Sequence, residues 1–109
     1  MFNLVIDLEM CKVPRDYRSN SYKYATETIQ IGAILLDDSF KRIGTLCQYV
    51  HPEHGVIDYF IENLTGIKNS QVKNAPKLEE VLLHMINWLG ERDYKIYAWS
   101  ESDRDQLLP

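Results

Sequence analysis

The segment "LVIDLEMC", residues 4–11, sets two carboxylates one residue apart directly after an apolar run. Leu4, Val5 and Ile6 read as a strand covered on both faces, and Asp7 and Glu9 follow with only Leu8 between them. Alternate side chains of a strand share a face, so the two acids project together about 6.6 Å apart along the chain, while Leu8 turns to the core. Like charges beside a low-dielectric core are costly, and a cation, an arginine partner or a raised pKa relieves them. A bound Mg²⁺ accounts for both acids. The competing reading ends the strand at Asp7 and leaves both acids solvated.

The elements that must position these residues alternate along the chain. A first strand spans residues 2–9. "TIQIGAILL" (28–36) and "RIGTLCQYV" (42–50) read as two more, paired antiparallel through the polar turn at Asp37, Asp38 and Ser39. "VIDYFIENLTGI" (56–67) reads as a short helix ending near Gly66, a residue that tolerates the left-handed conformation of a helix C-terminus. Leu78, Val81, Leu82, Met85, Ile86 and Leu89 recur at helical spacing over residues 76–89, with Asn74 as N-cap, Pro76 in the first turn and Gly90 as the stop. "KIYAWS" (95–100) reads as a fourth strand and "SDRDQLLP" as the start of another helix. The order predicts a mixed α/β domain in which a crossover helix leads to a strand parallel to the first.

At 109 residues with 45% hydrophobic content, the chain makes one small domain with a thin core. No apolar run approaches the roughly 18 residues that span a membrane, and no secretory signal is legible, so a cytoplasmic location without a membrane partner is expected. Cys11 and Cys47 lack a CxxC pattern and read as reduced thiols. The net charge of -4 argues against broad attraction to nucleic acid but leaves room for a local patch. Residues 12–24 hold Lys12, Arg15, Arg18 and Lys23 against Asp16, with Tyr17, Tyr22 and Tyr24 interleaved. That mixture suits phosphates and stacked bases, and it equally suits a solvated loop. His51 and His54 in "HPEHG" read as part of a turn rather than as metal ligands.

Four segments in order, "DLEMC", "ETIQIGAILLDD", "VHPEHGVIDYFIENLTGIKNSQVKNAP" and "AWSESDRDQL", resemble the DnaQ-like, or DEDDh, 3'-5' exonucleases. The likeness is nearest to the branch of KapD and the Eri-1-type RNA exonucleases. It implies a ribonuclease H-like mixed sheet with flanking helices. It makes Asp7 and Glu9 the first-motif metal ligands and Asp103 the second-motif acid, all three catalytic, around two Mg²⁺ or Mn²⁺ ions. It further implies that Leu64, Thr65, Gly66 and Ile67 hold the 3'-terminal nucleotide of RNA or single-stranded DNA. Met10 stands at a substrate-contacting position where many relatives have a small or hydroxyl residue.

The sequence departs from this family at the general base, a histidine five residues before the last aspartate. His51, His54 and His84 are followed at that distance by Val56, Tyr59 and Leu89. Residues 1–109 therefore read as the N-terminal part of a single exonuclease domain, C-terminally truncated and inactive alone. A truncated sheet edge is expected to favour self-association. The alternative is a catalytically dead remnant that binds a nucleic-acid end or a partner protein.

Overall fold

Strand β1 runs Phe2–Lys12, past both acids, so the reading in which the strand ends at Asp7 does not hold. The computed structural model describes residues 1–18 and 24–98. Strand β2 spans Thr26–Leu36, β3 Arg42–Tyr49 and β4 Tyr94–Ala98. They form one sheet in the order β3-β2-β1-β4. The two hairpin-side pairings are antiparallel and β1–β4 is parallel, as the element order predicts.

Helix α3, Leu78–Leu89, is the crossover between β3 and β4 and packs on one face of the sheet. Leu4, Ile6 and Leu8 of β1 and Ile31, Ala33 and Leu35 of β2 meet Val81, Met85 and Leu89 of α3 in one buried cluster. Each of the Leu, Ile, Val and Met side chains contributes about 1.5–3 kcal/mol by leaving water, which is what holds this helix to the sheet. Trp88 reaches across to β3, where a Cβ on Gly44 would stand 3.1 Å from its ring. The helix begins after Lys77 rather than at Asn74, and Pro76 precedes it. Gly90 takes φ 66° and ends it, as expected.

A second cluster lies around Cys11 and joins Ile29 to Ile57, Ile61, Ile67 and Val72. It lies on the opposite face of β1 from the α3 cluster, since Cys11 is odd-numbered like Asp7 and Glu9 while Met10 still packs with α3. The β1–β2 register shifts between Glu9 and Met10, where Glu9 pairs with Gln30 but Met10 with Thr28. Ile29 is the extra residue of this bulge. Before it the even-numbered residues of β1 are buried; after it Cys11 and Val13 are. The inserted residue belongs to β2, so it is the alternation of β2 that shifts there.

Helix α1 covers Tyr59–Thr65, shorter than residues 56–67. Val56 instead bridges Lys12 in extended conformation, and Asp58 caps the helix by accepting the Ile61 N–H at 2.9 Å. A further one-turn helix, α2, Asn69–Val72, follows. Within the basic stretch, Lys12 belongs to β1 and Arg15–Tyr17 form a 3-10 turn. Among the described residues, no helix is long and apolar enough to cross a membrane.

Candidate metal and 3'-end site

Asp7 and Glu9 occupy the same face of β1, opposite Gly32 and Gln30 of β2. Asp7 is exposed, Glu9 half-buried and Leu8 between them buried in the α3 cluster, which is the alternation the sequence requires. A Cβ at Gly32 would stand 3.6 Å from the Asp7 carbonyl oxygen, an ordinary van der Waals contact, so the site makes no demand for glycine there. On its other side β1 pairs with β4, and Ile6, the residue before Asp7, lies opposite Ala98. Asp103, the third expected ligand, lies outside the described residues. Among the described residues no three His, Cys, Asp or Glu side chains converge to hold an ion. The pair Asp7 and Glu9 supplies carboxylate oxygens, the donors that Mg²⁺ and Mn²⁺ take.

Met10 is half-buried and packs against the α3 cluster, on the face of β1 opposite Asp7 and Glu9. The segment Leu64–Ile67 is the C-terminal turn of α1. Gly66 adopts φ 76° and ψ 4°, the left-handed cap that the sequence predicts. Thr65 donates its hydroxyl to the Ile61 carbonyl at 2.8 Å and accepts the Ile67 N–H at 3.1 Å. Ile67 is buried in the second cluster, whereas Leu64 is 70% exposed.

Two residues went unnoticed in the sequence. Phe60, one helical turn before Leu64, is 58% exposed, and the Lys12 ammonium stands 4.7 Å from its ring centroid. The ammonium also lies 3.9 Å from the Asp58 carboxylate. An exposed aromatic four residues from an exposed leucine was readable as an outward stripe on α1. Glu27 is the other. It is buried beside Cys11, and its carboxylate accepts the backbone N–H groups of Glu53 at 2.7 Å, His54 at 2.8 Å and Gly55 at 2.6 Å. A lone acid opening a strand carries no spacing signal of such a role.

His51 and His54 serve the turn, as expected. His51 places Nδ1 3.0 Å from the Val72 carbonyl oxygen and donates its backbone N–H to Pro76 at 2.8 Å. Neighbouring Glu53 meets Lys77 at 2.9 Å, and this hydrogen bond holds its carboxyl below the usual carboxylate range.

A mixed four-stranded sheet with a parallel crossover to the strand beside an acidic pair limits the families to few. Residues 4–98 match the family model described as Exonuclease (RNase_T). The chain belongs to this exonuclease family. Among relatives of this exonuclease-family chain, ERI1 exoribonuclease 2 of Homo sapiens is 32% identical over 88 residues, which are 79% of the chain and 12% of that protein. A PolC-type DNA polymerase III of Caldanaerobacter subterraneus is 45% identical over 56 residues, 51% of the chain and 4% of that protein. Of the solved structures, the nuclease domain of 3'hExo, a DEDDh family member bound to rAMP, superposes with a TM-score of 0.76 at 24% identity. That match covers 98% of the chain and 56% of the 3'hExo domain. Cell-death related nuclease 4 gives 0.73 at 21% identity over 94% of the chain and 36% of its own. The chain thus spans about half of the 3'hExo domain and a small share of the curated relatives. The expected ribonuclease H-like exonuclease fold is the one found.

Proposed function

We propose that residues 1–109 are the N-terminal part of a metal-dependent 3'-5' exonuclease domain that acts on the 3' end of RNA or single-stranded DNA. The observation that carries this reading is the placement of Asp7 and Glu9 on one face of the central strand, in a chain whose residues 4–98 match an exonuclease family. The name of the ERI1 exoribonuclease relative and the rAMP bound by the 3'hExo domain support a substrate of this class.

In this reading Asp7, Glu9 and Asp103 hold two Mg²⁺ or Mn²⁺ ions. When bound, such ions activate water and stabilise the charge of an in-line displacement at phosphorus. The chain's own contribution is to position the substrate. Phe60 and Leu64 offer an exposed apolar stripe against which a terminal base stacks. The rigid turn at Thr65–Ile67 holds the sugar end nearby. Lys12 brings a cation to the phosphates that lead away, and Met10, next to Glu9, contributes at most through its main chain, since its side chain turns to the α3 cluster.

None of the three histidines carries an aspartate five positions later, and His51 is engaged in the turn. We infer that residues 1–109 bind metal and a 3' end but do not cleave at a useful rate, since a general base is worth about 10²–10⁴-fold. The same absence supports the second reading, a binding module. We also place the chain in the cytoplasm, with both cysteines as free thiols. Apolar surface beside β4, with Ile96 47% and Ile86 56% exposed, supports self-association at that edge.

The test is Mn²⁺ binding by electron paramagnetic resonance together with a 3'-labelled oligonucleotide assay. Wild type should bind Mn²⁺, and Asp7→Asn or Glu9→Gln should weaken binding about tenfold or more, as loss of an anionic ligand requires. The oligonucleotide should stay intact unless the chain is extended through a later His and Asp motif. Mn²⁺ binding that ignores both substitutions would defeat the exonuclease reading, and inactivity of the extended chain would leave the binding module.

A further inference from the structure

The Glu27 carboxylate spends its acceptors on three successive amides of one turn, an arrangement outside the metal site. Consecutive N–H groups pointing into one hollow form an anion nest of the kind that elsewhere holds phosphate. Here the anion is a side chain of the protein itself. Its two oxygens divide the work, with Oε2 taking Glu53 and Oε1 taking His54 and Gly55.

What this clamp fixes can be followed bond by bond. Glu27 pairs with Cys11 in the β1–β2 register, two residues past Glu9. The clamped turn lies directly on the same stretch of β1, because a Cβ on Gly55 would stand 2.8 Å from the Lys12 carbonyl oxygen and 3.2 Å from Glu27 Oε1. The next residue, Val56, donates its N–H to that Lys12 carbonyl at 2.8 Å. Ile57 then enters the second cluster, and Asp58 caps α1. Thr65 and Gly66 close the far end of the helix. The Glu27 carboxylate is thus joined to the Leu64–Ile67 turn through hydrogen bonds, a buried contact and one short helix.

We propose that Glu27 is a positioning residue: it sets the distance and angle between the acidic pair on β1 and the 3'-end-binding face of α1. The proposal rests on the exonuclease reading of those two elements. Glu27 touches neither metal nor substrate. Loss of its carboxylate frees the turn at residues 53–55 and lets α1 drift, while Asp7 and Glu9 stay fixed within the sheet. Substitution therefore weakens nucleic-acid binding and spares metal binding. Gln is a poor replacement, since its NH₂ group would confront an amide N–H where Oε1 or Oε2 accepts one.

The experiment measures two affinities on the same proteins, Mn²⁺ by electron paramagnetic resonance and a 5'-fluorescein-labelled hexauridylate by fluorescence anisotropy. Glu27→Gln should lower hexauridylate affinity about tenfold and change Mn²⁺ affinity less than twofold. Leu35→Ala, a core cavity remote from the turn, serves as the stability control and should move neither affinity in the folded protein. Equal hexauridylate binding by wild type and Glu27→Gln overturns the proposal, as does a parallel loss of both ligands. Wild type that binds Mn²⁺ but no hexauridylate defeats the 3'-end reading, and the proposal with it. If Glu27→Gln does not fold, amide exchange in wild type decides. The N–H groups of residues 53–55 should exchange only through global opening, and fast local exchange would overturn the clamp.

Discussion

Gly55 lies against Cys11 so closely that a Cβ on the glycine would stand 2.4 Å from the cysteine Sγ. Contacts this short do not occur between a real Cβ and its neighbours, so the turn or the strand must give. Gly55→Ala should cost about 1–3 kcal/mol, the usual penalty of overpacking. A fall of several degrees or more in thermal midpoint checks it. Adding Cys11→Ala should restore only part of the loss, because the Lys12 carbonyl oxygen also blocks the position at 2.8 Å.

Cys11 and Cys47 should part company in thiol chemistry. Burial first, and the Glu27 carboxylate second, push the Cys11 thiol up to about 12. Cys47 is exposed. One thiol should react quickly with a disulfide reagent at pH 8 and the second only on unfolding. The linkage has a definite sign. The unfolded thiol ionises near pH 8.5 and the folded one near 12, so this stabilisation is whole below about 8.5 and declines as pH rises towards 12. Denaturant melts across that range read it. Two equivalents titrating quickly in the folded protein would refute the buried assignment.

The left-handed cap at Gly66 predicts a pure backbone effect. Nothing lies within 4 Å of an added Cβ there, so Gly66→Ala meets no steric obstacle. It should still cost about 1 kcal/mol, because L side chains disfavour φ near 76°. Gly66→Asn should cost less. Equilibrium urea unfolding of the three proteins should rank them in that order.

The self-association proposed at the β4 edge predicts a concentration-dependent sedimentation coefficient. Ile96→Lys places a charge where that edge is apolar and should return the protein to monomer without lowering its stability, since Ile96 is already half exposed. A chain that sediments as a monomer at all concentrations would end this idea.

The sheet was legible where one face is buried throughout. Ile31, Ala33 and Leu35 alternate cleanly, and the crossover helix declares itself through Val81, Met85 and Leu89. The bulge at Ile29 was not, because the extra residue is an ordinary isoleucine and no glycine marks it. Its effect, the burial of Thr28 and Ile29 side by side in β2, therefore had no sequence sign. Val56–Asp58 read as helix because their apolar spacing continues that of α1, yet the Lys12 bridge holds Val56 extended and Asp58 serves better as a cap. Ile86 fits the helical stripe but is exposed, since period alone does not tell which part of a helix the sheet reaches. The shared face of Asp7 and Glu9 was readable from strand alternation, whereas a ligand role for them came only with the family resemblance. Glu27 was not, because its partners are backbone amides, which every residue possesses.

The parallel pairing of Phe2 with Tyr94 has a consequence for how the chain is made. Strands β1, β2 and β3 are consecutive in the chain and can assemble while the remainder is still being synthesised, at about 5–20 residues per second. β1 nevertheless sits in the interior of the sheet, and its second edge waits for β4, after α3 has emerged. Until then the strand that carries both acids is an edge, open to pairing with any other nascent chain. Closing so long a loop is entropically slow, so docking of β4 should limit the folding rate and mark the interval of greatest aggregation risk.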